Sequence, residues 1–341
     1  MNSVQAVGIS RPDMDTSLRG EEPAPWGSSL ANLAELLIPV LDAARAASVV
    51  EVGAHAGDLT RELLEWAGHG DARGDGAVIA IEPEPPASLL ELAREHPELE
   101  VVRGTSHEAL RRIPLPDAVI VDGDHNYYTV GEELRILDER ASWSEGPLVM
   151  FHDVCWPLGR RDAYYAPERV PEDERPGPIV HGARVMPGEP GLVSGGLPYL
   201  WAADREGGPR NGVLTAIEDF VADRDRLRLA VVPAFFGLGV LWHVEAPWAD
   251  DVAAVVGPWD RNPILGRLEA NRVFHLAEKQ RQFSELLGAQ ERAAVQEGVL
   301  KAMLNSRAFA LGEWVSRLRK GGRPAFSREH VRRALGDSES G

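Results

Sequence analysis

The chain has one cysteine, Cys155, in 341 residues. That excludes an intramolecular disulfide framework and any metal site built on several thiolates. It has no apolar run of 18 residues, so no segment reads as a membrane-spanning helix. The first 20 residues carry acids and no apolar core, which argues against a secretory leader and points to the cytoplasm. Positive charge is scarce: 36 Lys plus Arg face 53 Asp plus Glu, a formal net charge of −17. A nucleic-acid partner is not expected, because a basic face supplies most of that affinity. Two nucleotide-enzyme signatures are also missing, the close glycine pair of the dinucleotide fingerprint and any Tyr-x-x-x-Lys dyad.

What is present is a hydrophobic fraction of 44 %, enough to bury a substantial core in one large domain with extensions or in two domains. Residues 48–57, Ser-Val-Val-Glu-Val-Gly-Ala-His-Ala-Gly, read as a buried strand running into a turn at Gly53. Gly57 then opens an amphipathic helix carrying Leu59, Leu63 and Leu64, so a ligand fits against bare backbone at the turn. The spacing Gly53-x-x-x-Gly57 suits a ligand without a pyrophosphate. Further strands are expected over Gly76–Glu82, Leu99–Arg103, Asp117–Val121 and Gly146–Phe151, alternating with helical segments such as 129–140. The fourth strand ends in Asp122-Gly123-Asp124-His125 and the fifth in His152-Asp153. Ligands of an open parallel sheet bind at the carboxyl ends of its strands, so Asp122, Asp124, His125, His152 and Asp153 are expected in one crevice. Carboxylates with an imidazole suit a hard or borderline divalent cation.

The pattern Glu51-x-Gly53-x-x-x-Gly57 resembles the first motif of class I S-adenosylmethionine-dependent methyltransferases. The pairing of VDGDH with FHD is similar to the metal-dependent O-methyltransferase branch that includes macrolide sugar O-methyltransferases and cephalosporin-hydroxylase-like proteins. The resemblance implies a Rossmann-like, doubly wound, mostly parallel seven-stranded sheet with an antiparallel last strand, here followed by a C-terminal helical extension. It implies S-adenosylmethionine as cofactor, bound by Glu51, Gly53, Gly57, Glu82, Ser106 and Asp122. Glu51 would face the cofactor's amino group, Glu82 would take both ribose hydroxyls, and Ser106 would lie near the adenine. It also implies a divalent metal, magnesium or manganese, on Asp122, His152 and Asp153, with His125 as catalytic base. His152 departs from the family, where a glutamate is usual, which lowers the site's negative charge and either shifts preference toward manganese or another transition metal or leaves only two protein ligands. The implied reaction is methylation of a sugar hydroxyl in a glycan or glycosylated natural product. A dehydrogenase or epimerase of the same fold class, and a non-catalytic assembly protein with a relic pocket, are the alternatives.

The expected organisation is a disordered segment 1–27, a methyltransferase domain 28–246, a linker 247–263 and a helical extension 264–341. Ser28 or Ser29 is the expected cap of a first helix carrying Leu33, Leu36, Leu37, Val40 and Leu41, and DARGDG, 71–76, reads as a loop. Within the domain, the Pro- and Gly-dense stretch 156–211 reads as an acceptor lid. Its Tyr164, Tyr165, His181 and Trp201 are expected to stack on a sugar ring, and Arg160 and Arg161 to grip it. Residues 261–341 hold 15 basic and 9 acidic side chains, net +6, while the rest of the chain is −23. The apolar spacing in 264–320 predicts a long helix or a pair. It fits a homo-oligomer, a glycosyltransferase partner or docking on the body, and irregular heptads leave these open. The basic end, with Arg317, Arg319, Lys320 and Arg323, reads as a solvated helix end rather than a membrane contact.

Overall fold

The computed structural model describes residues 29–68, 77–320 and 327–335. The expectations for 1–27, Ser28, the loop 71–76 and Arg323 lie outside the described residues. Ser29 caps the first turn, its hydroxyl accepting from the Ala31 N–H at 3.2 Å, and helix α1 follows over Ala34–Ala43. The chain then alternates: β1 Val49–Val52, α2 Asp58–Gly68, β2 Val78–Glu82, α3 Ala87–Glu95, β3 Leu99–Arg103, α4 Ser106–Ala109, β4 Ala118–Val121, α5 Tyr127–Arg140 and β5 Leu148–His152. A small antiparallel sheet comes next, with β6 Ala163–Tyr164, β7 Ile179–Val185 and β8 Leu197–Ala203, followed by α6 Val213–Val221. Strands β9 Leu227–Val232 and β10 Leu238–His243 return to the main sheet, and α7 Ala249–Val256 closes its face.

The main sheet has seven strands in the order β3-β2-β1-β4-β5-β10-β9. All neighbours are parallel except β10, which runs antiparallel to both β5 and β9. The expected mostly parallel sheet with an antiparallel last strand is therefore observed. Because both faces are covered, successive residues of each central strand are all buried, and the sequence reads as continuous apolar runs rather than alternation. Val49, Val78, Ala118, Leu148 and Met150 face α1, α2, α3 and α7. Val50, Ile79, Val119, Val149 and Phe151 face α4, α5 and α6. Each fully buried Leu, Ile, Val or Phe contributes roughly 1.5–3 kcal/mol of transfer free energy, so these two layers hold the strand ends rigidly in place.

Two segments differ from expectation. The stretch 247–263, read as a linker, contains α7, whose Ala249, Val252 and Val256 are buried against the sheet. Its prolines, Pro247, Pro258 and Pro263, fall outside α7 and interrupt no helical turn. Within 156–211, read as a lid loop, the backbone groups of β6, β7 and β8 satisfy one another as a folded sheet. Val185 and Leu197 of that sheet pack with Phe236, Val273, Leu276 and Ala277.

Helix α8, Pro263–Asn305, is followed by α9, Arg307–Lys320, and α10, Arg328–Ala334, so the stretch 264–320 holds one long helix and a second, shorter one. The chain divides into two compact units at Lys279/Gln280, inside α8. In the second unit Ser327 and His330 form a capping box at the start of α10, and the Arg328 guanidinium donates to the Ser306 carbonyl at 3.2 Å. Leu311, Trp314 and Leu318 of α9 are exposed. Among the described residues no helix is long and apolar enough to cross a membrane.

Candidate active site

The turn after β1 is shaped by glycine. Gly53 has φ +86°, and a Cβ there would lie 2.1 Å from the Asp122 carbonyl oxygen. Only a residue without a side chain lets this turn approach the end of β4 so closely. Gly57 also has φ +86°, but a Cβ there would make ordinary contacts at 3.4 Å with Leu92 and 3.5 Å with Leu89. Its need is conformational, at the entry to α2, and its neighbours are α3 side chains. Glu82, at the end of β2, accepts from the His55 N–H at 3.1 Å and the Glu84 N–H at 3.2 Å. Its carboxylate thus sits directly against the glycine turn.

Glu51 is buried, and its Oε2 accepts from the Thr60 hydroxyl at 2.6 Å. Burial raises its pKa to about 8; the Thr60 bond opposes the shift, and Asp122, Asp58 and Glu82 add to it. Ser106 is the first residue of α4 and is buried. Beside it stands Glu133 of α5, fully buried. Burial raises the Glu133 pKa to about 8; the nearby Ser106 hydroxyl opposes the shift and Asp124 adds to it.

At the ends of β4 and β5, one ligand atom each from Asp122, His152 and Asp153 lies within 4.8 Å of the others. The His152 ring is engaged on both sides. Nε2 lies 2.9 Å from the Phe235 carbonyl oxygen, and Nδ1 lies 2.9 Å from Asp122 Oδ1 and 3.9 Å from Asp153 Oδ2. A carbonyl only accepts, so Nε2 carries a proton and Nδ1 is the atom facing the carboxylates. Burial disfavours the charged ring, but Asp122 and Asp153, with the bonds to Asp122 and Phe235, outweigh it and raise the pKa to about 10. Asp153 holds a left-handed backbone, φ +59°, and its Oδ2 lies 3.4 Å from His125 Nδ1.

The donor set fits a divalent cation. Metal–oxygen bonds of about 2.1 Å put neighbouring ligands about 3 Å apart, close to the 2.9 Å between Nδ1 and Asp122. A ligating histidine commonly donates its other N–H to a backbone carbonyl, the arrangement His152 has with Phe235.

A family described as a methyltransferase domain matches residues 50–154. This span runs from β1 to just past β5 and contains Glu51, both glycines, Glu82, Ser106 and the Asp122, His125, His152 and Asp153 group. Over these residues the chain is similar to a methyltransferase domain. Similar solved structures include an O-methyltransferase from Bacillus cereus in complex with S-adenosylhomocysteine, at 12 % identity, TM-score 0.37, covering 63 % of this chain and 81 % of that one. Streptomyces venezuelae DesVI is similar at 13 % identity, TM-score 0.36, with 64 % and 93 % covered. A Podospora anserina methyltransferase bound to S-adenosylhomocysteine is similar at 13 % identity, TM-score 0.36, with 60 % and 76 % covered. No curated protein matches the chain.

Not every polar group expected in the methyltransferase crevice is free to act there. Asp124 accepts from the Tyr165 N–H at 2.9 Å and so fastens the following segment to the loop. Arg161 is fully buried and donates to the carbonyls of Ala203, 2.7 Å, and Pro190, 2.8 Å. Arg160 bonds the Thr215 hydroxyl and pairs with Glu218. Both arginines, expected to grip an acceptor, hold the small sheet and α6 instead. Tyr164 is buried and donates to Asp162, whereas Tyr165 is exposed with its ring centroid 6.2 Å from that of His125. The expected pair His181 and Trp201 stack on each other edge to face at 4.6 Å.

Sequence reasoning passed over three groups. Asp162 accepts from the N–H groups of Tyr127, 2.8 Å, and Gly212, 2.6 Å, binding α5 and α6 to the insertion. Glu133 and the Phe235 carbonyl were also missed. A charged residue on the apolar stripe Val130, Glu133, Leu134, Leu137 was the available signal for Glu133; a backbone carbonyl leaves none. Burial pushes the Cys155 thiol up to about 12, so it offers no thiolate at neutral pH.

Proposed function

We propose that the chain transfers the methyl group of S-adenosylmethionine to a sugar hydroxyl of a glycan or glycosylated natural product, with a divalent cation held by Asp122, His152 and Asp153. The observation that carries this reading is the convergence of those three side chains, with His125 at 3.4 Å from Asp153, beside the Gly53 turn. Glu51, Gly53, Gly57, Glu82, Ser106 and Asp122 form the cofactor side. Glu82 faces the ribose hydroxyls, since a carboxylate accepts two hydrogen bonds from a vicinal diol.

A bound divalent cation lowers the pKa of a coordinated hydroxyl. His125 Nδ1 lies 3.4 Å from Asp153 Oδ2, so Nδ1 faces the carboxylate and Nε2 is the base that takes the hydroxyl proton. The acceptor oxygen forms a bond to the methyl carbon as the carbon–sulfur bond breaks, giving a methyl ether and S-adenosylhomocysteine. Tyr165 is exposed with its ring centroid 6.2 Å from that of His125, and in this reading it covers one face of the sugar ring. A second reading is favoured by the charge on His152: with a proton on Nδ1, the imidazolium itself supplies the positive charge between the two carboxylates.

The test is calorimetric titration of S-adenosylhomocysteine into the chain, followed by an acceptor screen over free and glycosidically linked sugars with and without chelator. Micromolar binding and a methylated sugar, with turnover lost in Asp153→Ala but cofactor affinity kept within about tenfold, is the expected result. Unchanged turnover in Asp153→Ala removes the metal and base assignments, and the absence of any methylated hydroxyl removes the acceptor class.

A further inference from the structure

The hairpin between β9 and β10 brings the Phe235 carbonyl to the edge of the His152 ring, and its backbone is unusual. Phe235 and Phe236 both sit in the left-handed region, φ +50° and +68°. Two bulky residues in succession persist there only where their surroundings hold them. Three contacts do so. The Cys155 N–H donates to the Phe236 carbonyl at 2.7 Å. Gly237, φ +101°, packs so tightly that a Cβ would lie 2.5 Å from Cys155 Sγ. From α8, the buried Glu269 carboxylate accepts the Phe236 N–H at 2.7 Å.

Glu269 is itself fixed. Arg272, one turn on, donates to both of its carboxylate oxygens, at 2.7 and 2.6 Å. The same guanidinium lies over the rings of Phe236 and Phe235, at 4.5 and 5.4 Å from their centroids. One arginine therefore clamps both the carboxylate and the two residues whose backbone that carboxylate holds. The carbonyl of Phe235, thus oriented, receives Nε2–H of His152. That bond decides which imidazole nitrogen faces Asp122 and Asp153.

We propose that Glu269, clamped by Arg272, is a positioning residue for the reacting site: through the Phe235–Phe236 backbone it fixes the orientation of His152 and keeps Nδ1 aimed at Asp122 and Asp153. The inference rests on the reading of His152 as a member of that site. It assigns the first turns of α8, beyond the family match that ends at residue 154, a part in the chemistry. Glu269 touches neither cofactor nor acceptor.

The experiment is nitrogen–proton NMR of the imidazoles in the full chain, comparing the parent with Glu269→Ala, Glu269→Gln and Arg272→Ala, alongside Mn2+ titration. The hydrogen-bonded Nε2–H of His152 should give a slowly exchanging proton signal in the parent. It should be lost or shifted in Glu269→Ala and Arg272→Ala, and kept in Glu269→Gln, whose side-chain oxygen can still accept from Phe236. Mn2+ affinity should fall about ten- to hundredfold in Glu269→Ala, with S-adenosylhomocysteine affinity unchanged as proof of a folded cofactor site. An unaltered His152 signal in Glu269→Ala, or in Arg272→Ala where the first variant no longer binds S-adenosylhomocysteine, overturns the proposal. If the parent binds no Mn2+, the metal reading fails on its own, and the His152 signal still decides the positioning role.

Discussion

Proton and metal compete for one atom, Nδ1 of His152, and the size of the contest follows from the site. Nδ1 stands 2.9 Å from Asp122 and 3.9 Å from Asp153, and these carboxylates overcome burial to raise the ring's pKa to about 10. At pH 7 the proton is therefore held by about 3 pH units, or about 4 kcal/mol. A cation ligated through Nδ1 must displace it, so metal binding releases one proton and the apparent association constant rises about tenfold per pH unit below 10. Between pH 6.5 and 8.5 the dissociation constant for Mg2+ or Mn2+ should fall about a hundredfold. Calorimetry in two buffers of different ionisation enthalpy reads both quantities, the affinity and the proton released. In His152→Ala this share of the slope should vanish. A dissociation constant that stays flat across that range, with no proton released, would refute ligation by His152 and leave the imidazolium as the site's own positive charge.

Two further outcomes follow from buried groups. Glu133 has a folded pKa of about 8 against an ordinary 4.5, so the folded state holds an extra proton between those values and stability falls as pH rises through them. Glu133→Gln should remove that dependence, gaining up to about 5 kcal/mol over the parent at pH 9 and little at pH 4.5; urea unfolding with the same pH slope in both proteins would show Glu133 to be ionised and satisfied. Gly53→Ala should cost far more than Gly57→Ala, because its Cβ meets the Asp122 carbonyl at 2.1 Å while that of Gly57 meets only side chains at 3.4 Å and beyond. The expected losses are roughly 3 kcal/mol or more against about 1–2 kcal/mol, with S-adenosylhomocysteine affinity reduced at least about tenfold only in Gly53→Ala; equal losses in urea unfolding and titration would sink the close-approach account.

The fold was legible in the sequence to a large degree because its signals are local. Continuous apolar runs such as 118–121 and 148–151 mark strands buried on both faces, and the acids and histidines that end them mark the carboxyl edge. The glycine turn after β1 carries its own conformational signature at residues 53 and 57. The convergence of Asp122, His152 and Asp153 was likewise foreseeable, because parallel neighbours β4 and β5 end at the same edge.

Other features were settled only by distant chain segments meeting. Arg160 and Arg161 look like acceptor ligands in a loop dense in proline and glycine, yet carbonyls of 190 and 203 and side chains of 215 and 218 occupy them. Pro247, Pro258 and Pro263 suggested a linker where α7 folds onto the sheet, because proline punctuates a chain without saying whether the segment between is buried. The tautomer of His152 depends on the carbonyl of Phe235, and that carbonyl on Glu269. The sequence by itself determined the strands, the glycine turn and the polar strand ends, whose causes lie within a few residues. The tertiary structure alone decided which of those polar groups are free to act, because hydrogen-bond satisfaction is set by partners far away in the chain.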